Sequence, residues 1–110
     1  MDRKTTRALG RGRRRADASL DLHGLDQALA HASLLRFLRG AQAAGHGLVL
    51  VVTGKGRPGE EGRGVLKRLV PLWLSAPDLR PLVLGLAGAG PRQGGGGALY
   101  VRLRRLRTRA

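Results

Sequence analysis

The segment Leu20-Asp21-Leu22-His23-Gly24 predicts a short β-strand followed by a turn. Residues two apart on a strand share a face, so Leu20 and Leu22 are expected to point into a core. Asp21 and His23 are then expected side by side on the opposite face. Because α/β folds usually place their sites at strand ends, this carboxylate and this imidazole are the first candidates for chemistry.

The charge of the chain favours a polyanionic partner. The 110 residues include 21 Lys and Arg against 7 Asp and Glu, a formal net charge of +14. Residues 1–16 hold seven basic residues and one acidic residue, a net charge of +6. Nucleic acid is the expected partner, and the excess of arginine suits bidentate contacts with phosphate. The alternative to a nucleic-acid partner is an arginine-rich composition, in which arginine occupies any solvated surface without a role in binding.

The composition also excludes several kinds of site and location. The chain has no cysteine, which excludes disulfides, thiolate zinc sites and cysteine nucleophiles. No apolar run approaches the roughly 18–20 residues of a membrane span, and the basic N-terminus lacks the apolar region of a secretory signal. We therefore expect one cytoplasmic domain with a single core and no membrane partner.

Hydrophobic patterning predicts the element order β-α-β-α-β-β. Strands are expected around Leu20–Gly24 and at residues 48–52, 82–87 and 98–103, with helices at residues 25–44 and 64–75. The continuous apolar run at residues 48–52 predicts an interior strand that is covered on both faces. Two βα units imply parallel strands with right-handed crossovers, and the fourth strand is expected antiparallel to the third. The fold class is a two-layer α/β sandwich with one mixed sheet.

Two details of the helices are also predicted. Asp26 is expected to cap the first helix, and Pro71 is expected to kink or restart the second. The spacing of apolar residues predicts that the buried face of the first helix comprises Leu25, Ala28, Leu29, Ala32, Leu35 and Leu38.

A glycine turn, Thr53-Gly54-Lys55-Gly56, directly follows the second strand. A strand, a Gly-X-Gly turn and a helix can direct backbone N–H groups toward an anion, so this turn is a candidate phosphate site. The spacing fits neither a Walker loop nor a dinucleotide fingerprint, and the alternative is a tight turn in which glycine supplies only a positive φ.

Three stretches in order resemble the Smr (small MutS-related) domain: Leu20-Asp21-Leu22-His23-Gly24, Thr53-Gly54-Lys55-Gly56, and the glycine-rich start of the last strand at residues 95–103. The resemblance implies a fold like the C-terminal domain of bacterial translation initiation factor three. It divides the chain into a basic arm (1–16), an Smr domain (17–105) and a basic tail (106–110), and indicates a stand-alone member.

The resemblance also implies nucleic-acid binding and endonuclease activity on RNA or DNA, including messenger RNA on ribosomes. Asp21 and His23 match the D-x-H pair to which cleavage is assigned. The expected contacts with phosphate are made by Thr53, Gly54, Lys55, Gly56, Arg57, Lys67 and Arg102. The protein is expected to act as a monomer.

Phosphodiester cleavage needs a proton-transfer group and a cation near the phosphate, which these residue types supply. Imidazole exchanges protons near neutral pH, and Asp21 can orient it. No metal site is expected and no cofactor is required, because no second carboxylate is reliably placed beside Asp21, although assistance by Mg²⁺ is left open. The alternative is a non-catalytic module that binds RNA, ribosomes or branched DNA. In that case Asp21 satisfies the turn at Gly24, and His23 is a half-buried, hydrogen-bonded residue.

Overall fold

A computed structural model describes residues 15–54, 65–88 and 97–105. The elements are β1 (Ala18–Asp21), α1 (Gln27–Ala43), β2 (Leu48–Val52), α2 (Val65–Leu74), β3 (Val83–Gly88) and β4 (Ala98–Leu103), with a 3-10 turn at Arg80–Leu82 before β3. The predicted order of strands and helices is confirmed. The basic arm, apart from its last two residues, and the basic tail lie outside the described residues, as do Lys55, Gly56 and Arg57.

The four strands form one mixed sheet in the order β1-β2-β4-β3. β1 pairs with β2 in parallel, and β4 pairs antiparallel with both β2 and β3. β1, β2 and β3 therefore run in one direction, and β4 lies between the second and third of them. The predicted antiparallel pairing of the last two strands is confirmed.

The helices pack on one face of this sheet. Leu34 and Leu38 of α1 and Val70 of α2 are fully buried in one cluster with Val49 and Val51 of β2. Burial of a Val or Leu side chain contributes about 1.5–3 kcal/mol, so this layer is the main source of stability. On the opposite face of β2, Leu48 is buried at the start of the strand, but Leu50 and Val52 are only half-buried. The expectation that β2 is covered on both faces is therefore wrong, because both helices lie on the same side.

The buried face of α1 differs from the predicted one. The buried residues are Ala30, Leu34, Leu38 and Ala41, whereas Leu29 is 54% exposed. Of the predicted set only Leu38 is fully buried. The helix is rich in Leu and Ala on several sides, so periodicity alone favours more than one face, and the contact with the sheet decides between them. Asp26 does cap α1, because its carboxylate accepts a hydrogen bond from the Leu29 N–H at 2.8 Å.

α2 continues through Pro71, so the predicted restart does not occur. A proline lacks the N–H that would bond to the carbonyl four residues earlier, which here belongs to Lys67. Lys67 lies on the exposed side of the helix, where water can solvate that carbonyl. The Ser75 hydroxyl donates to the Pro71 carbonyl at 3.1 Å one turn later.

The register of α1 can be tested with two leucines of the same helix. We expect Leu34→Ala to lower the free energy of unfolding by about 3 kcal/mol, because it removes a fully buried side chain. Leu29→Ala is the matched control and should change it by less than about 1 kcal/mol. Urea unfolding followed by circular dichroism measures both. Equal losses would contradict the observed face of α1.

Candidate functional site

The parallel pairing of β1 and β2 places the ends of both strands at one edge of the sheet. Asp21 pairs with Val52, and the Leu22 N–H extends the ladder by donating to the Val52 carbonyl at 2.7 Å. β1 ends at Asp21, before the end of the strand expected around Leu20–Gly24, because the chain then enters a turn. In that turn the Leu25 N–H donates to the Leu22 carbonyl at 3.1 Å, and Gly24 has a φ of +84°. Glycine adopts this φ without a Cβ penalty.

Asp21 and His23 form a hydrogen-bonded pair at this edge. One carboxylate oxygen of Asp21, Oδ1, accepts from the His23 backbone N–H at 3.0 Å and lies 2.7 Å from the His23 Nδ1. Because an ionised carboxylate only accepts, we assign the ring proton to Nδ1. The Nε2 atom is then the proton-exchanging atom of the neutral ring.

The pair is open to solvent, since the side chains of His23 and Asp21 are 67% and 55% exposed. His23 is therefore not the half-buried residue of the non-catalytic interpretation. Leu22, between them in sequence, is fully buried and anchors the turn to the core. The predicted alternation, with Leu20 and Leu22 inward and Asp21 and His23 outward, is observed.

The hydrogen bond from the His23 ring lowers the pKa of the Asp21 carboxyl below its ordinary value of 3.8, and the His23 backbone N–H acts in the same direction. Partial burial of the carboxyl opposes both. Both hydrogen bonds favour the charged form, so Asp21 is ionised at neutral pH. Their contribution to folding stability is present above pH 3.8 and is lost as the pH falls through the lowered pKa.

Gly54 of the second turn packs directly against His23. A Cβ added to Gly54 would lie 3.0 Å from the Cβ of His23, and Gly54 has a φ of +81°. Glycine is therefore required here both for backbone conformation and for the close approach of the His23 side chain at its Cβ. The two motifs that sequence reasoning singled out separately thus meet at one point.

The N–H groups of Thr53 and Gly54 have a partner inside the protein. Both donate to the carbonyl of Gly97, at 2.7 and 3.0 Å, and the Thr53 hydroxyl lies 3.2 Å from the same oxygen. These two N–H groups are not the free phosphate donors that the sequence predicted, because they join the end of β2 to the beginning of β4. Thr53 is also buried, so its side chain is placed for structure rather than for contact with a ligand.

Gly97 is the residue of this site that sequence reasoning missed. It lies in the glycine-rich start of the last strand at residues 95–103, where the sequence predicts no site residue before Arg102. Its role is carried by a backbone carbonyl, which every residue type has. The available signals were the position of the glycine run directly before a predicted strand and its place in the third stretch of the resemblance.

Two of the cations predicted to contact phosphate, Lys67 and Arg102, are described by the structure, and they lie in different parts of the fold. Arg102 is exposed and pairs with Leu48, four residues before Val52 along β2. It therefore lies about 13 Å along the strands from the row of Asp21 and is not part of the same cluster. Lys67 is exposed in the first turn of α2. β3 runs parallel to β2, so α2 returns across the sheet and its first turn lies toward the edge that carries His23.

Among residues 15–54, 65–88 and 97–105, no group of three or more His, Cys, Asp or Glu side chains could hold a metal ion. The acidic residues Glu60 and Glu61 fall outside those ranges. Within the same ranges, neither helix has the length and apolar composition to cross a membrane.

Comparisons with known proteins agree on one family. The sequence model of the Smr domain matches residues 20–104. The crystal structure of the Smr domain of Thermus thermophilus MutS2 is similar at 30% identity with a TM-score of 0.66, over 79% of this chain and 98% of that chain. The crystal structure of YdaL, a stand-alone small MutS-related protein from Escherichia coli, is similar at 30% identity with a TM-score of 0.71, over 96% and 78% of the two chains. No curated protein matches the sequence.

The bond between His23 and Asp21 can be tested by titration. We expect the carboxyl carbon of Asp21 to titrate with a midpoint below 3.8 in ¹³C NMR, because the charged form accepts two hydrogen bonds. In His23→Ala the ring donor is absent, so the midpoint should rise toward 3.8. An unchanged Asp21 midpoint in the variant would contradict the assigned geometry.

The contact between Gly54 and His23 can be isolated with a second glycine of nearly the same backbone conformation. Gly45 has a φ of +84°, but a Cβ there meets nothing within 4 Å. Gly54→Ala and Gly45→Ala should each cost about 1–2 kcal/mol of stability for the left-handed conformation. Only Gly54→Ala should also shift the His23 ring resonances and raise the Asp21 midpoint, because its Cβ displaces His23. Identical ring spectra in the two variants would show that the contact does not position His23.

Proposed function

The chain belongs to the Smr domain family, and from that premise we propose that it is an endonuclease that cleaves RNA. The family binds nucleic acid and is associated with nuclease activity. The observation that carries the finer proposal is the hydrogen bond between Asp21 and His23, at 2.7 Å, on an exposed edge of the sheet. A histidine fixed through Nδ1 and open at Nε2 is the arrangement that proton transfer to a bound substrate requires.

The 2′-hydroxyl of RNA is the nucleophile that best suits this pair. Nε2 of His23 accepts the 2′-hydroxyl proton, the 2′-oxygen bonds to the adjacent phosphorus, and the bond from phosphorus to the 5′-oxygen breaks. The leaving oxygen takes a proton from water or from a nearby ammonium group. The products are a 2′,3′-cyclic phosphate and a 5′-hydroxyl end. Asp21 holds the ring and stabilises the imidazolium that forms, which is the role of an orienting carboxylate.

The phosphate gains negative charge in this reaction, and cations near it stabilise that charge. Lys67 is the described candidate, since it is exposed on the first turn of α2. Lys55, Gly56 and Arg57 follow Gly54 directly in sequence, and we propose the two cations among them as further phosphate contacts. The scheme uses no metal, and Mg²⁺ assistance is one arm of the experiment below. Messenger RNA on ribosomes is the substrate setting that we propose on the strength of the family resemblance.

A non-catalytic binding protein is the second candidate. The observation that favours it is the exposure of the pair, 67% and 55%, because water weakens the electrostatic interactions on which catalysis depends. In this case the positive charge alone holds RNA, ribosomes or branched DNA. Binding would then weaken steeply with salt and would not depend on His23.

The decisive experiment is cleavage of labelled RNA and of DNA of the same sequence, each with Mg²⁺ and with EDTA. We expect RNA to be cut in both conditions and DNA in neither, with 2′,3′-cyclic phosphate and 5′-hydroxyl ends. His23→Ala should lose at least about 100-fold in rate, because it removes the general base. Asp21→Asn should lose less, because an amide can still hold the ring.

His46→Ala is the matched control, since His46 follows α1 and lies before β2, at the opposite end of the sheet. It should cut at the normal rate. Cutting that persists unchanged in His23→Ala would contradict the proposal. Binding with no product in any arm would favour the non-catalytic alternative.

A further inference from the structure

The face of the sheet opposite the helices, here called the open face, carries a specific set of side chains. Register places Asp21, Val52 and Ala98 in one row across β1, β2 and β4. The next row on this face holds Ser19, Leu50 and Tyr100, and the row after it holds Leu48 and Arg102. None of these residues belongs to the described core cluster or packs against it.

The centre of the open face is apolar and aromatic, and its far end is cationic. Leu50, Val52 and Tyr100 are half-buried and Arg102 is exposed, whereas Leu48 and Ala98, at the two ends of the face, are buried. On β3 the positions paired with Tyr100 and Arg102 are Ala87 and Gly85, so the neighbouring strand places only small residues beside them. Among the described residues, no large side chain of β3 therefore lies beside the Tyr100 ring on this face.

We propose that the open face binds single-stranded nucleic acid, with a base stacked on Tyr100 and a phosphate on Arg102. The surface is continuous with the candidate site, since Asp21 lies on the same face one row from Tyr100, the neighbour of Arg102. From strand spacing and rise, Tyr100 lies about 12 Å from the Asp21 position. A short single strand seated on Tyr100 would therefore lead to His23. The inference deepens the proposed function by naming the form of its substrate.

The chemistry of the face selects a single strand over a duplex. Bases in a duplex stack on each other, so a duplex would offer this surface only its phosphates. The apolar side chains of Leu50 and Val52, which form the floor of this surface, would then lose their contact with water without contacting a base. An unpaired base has a free face for Tyr100 and for that floor, and such stacking tolerates any sequence. Tyr100 is the only tyrosine of the chain, so counting aromatic residues alone argues against a stacking surface, whereas its position favours one.

The occupant carries the opposite charge to the protein. A second copy of this chain would bring another formal charge of +14 to the face, which opposes association through it. A polyanion meets no such repulsion. Arg102 lies beside the apolar surface, at the position where the phosphate backbone of a bound nucleic acid would pass beyond that surface. Charge complementarity therefore favours nucleic acid over self-association.

The chain contains its own reporters for the test, because it has one Tyr, one Trp and one Phe. Tyr100 lies on the open face, whereas Trp73 and Phe37 pack against the core from the helix layer. A single-stranded oligodeoxythymidylate should be titrated into the full-length protein in EDTA and followed by NMR. We expect the Tyr100 ring resonances to move upfield while the Trp73 indole signal stays in place. A self-complementary DNA duplex should leave Tyr100 unchanged.

Affinity of variants completes the test. Tyr100→Ala should weaken binding of the oligonucleotide about 10-fold, and Tyr100→Phe should bind within about twofold of the parent, since the ring face is kept. Arg102→Ala should lower the salt dependence of binding by about one phosphate contact, a slope change of roughly 0.7. Arg39→Ala removes the same charge from the exposed side of α1 and should leave the slope in place.

Three outcomes would overturn the inference: a Tyr100 ring that does not respond, a duplex that shifts it equally, or ring shifts that follow protein concentration without oligonucleotide. The oligonucleotide has no 2′-hydroxyl, so binding is measured independently of the proposed cleavage. A protein that binds through Tyr100 but cuts no RNA would refute the proposed function alone. A protein that cuts RNA with a silent Tyr100 would refute this inference alone.

Discussion

The parallel pairing of β1 with β2 is the constraint on which the rest of the structure depends. It ends both strands at one edge, so the turn after Asp21 and the turn after Val52 lie together. His23 is then held from two sides, by a hydrogen bond to Asp21 and by contact with Gly54. Gly54 is fixed in turn through Gly97, whose carbonyl ties the end of β2 to the start of β4. A one-residue slip between β1 and β2 would turn Asp21 to the helix side and dismantle the edge.

Much of this arrangement could be predicted from the sequence, because strong local sequence patterns agree with the strands and turns that the folded sheet contains. The alternation of apolar and polar residues in Leu20–Gly24 and the apolar run of β2 predict the first two strands, and the glycine turns predict where these strands end. The buried face of α1 could not be predicted, since Leu29 and Leu34 have the same propensity and only contact with the sheet distinguishes them. The position of Arg102 was equally hidden, because it depends on the register between β2 and β4, which no local pattern records.

The described acidic residues are all engaged locally, which explains why the chain keeps its positive field. Asp21 contacts His23, Asp26 caps α1, and Asp17 accepts from the N–H groups of Gly47 and Leu48. Asp78 lies 3.6 Å from His31, whose ring meets Trp73 edge-on. The described carboxylates bond to backbone N–H groups and histidines, and Arg36, Arg39 and Arg68 are exposed and contribute to the overall positive potential of the surface. The electrostatics of partner attraction and the geometry of the candidate site are thus carried by different residues.

The central position of β4 has a consequence for biosynthesis. Chains grow from the amino end, so β1, β2 and β3 are synthesised before the strand that separates β2 from β3. Until β4 emerges, the facing edges of β2 and β3 have no ladder partner, and Thr53 and Gly54 lack the Gly97 carbonyl. A nascent or prematurely terminated chain would therefore contain Asp21 and His23 without the support that positions them. The order of synthesis therefore delays assembly of the sheet edge that carries Asp21 and His23 until nearly all of the strands have been synthesised.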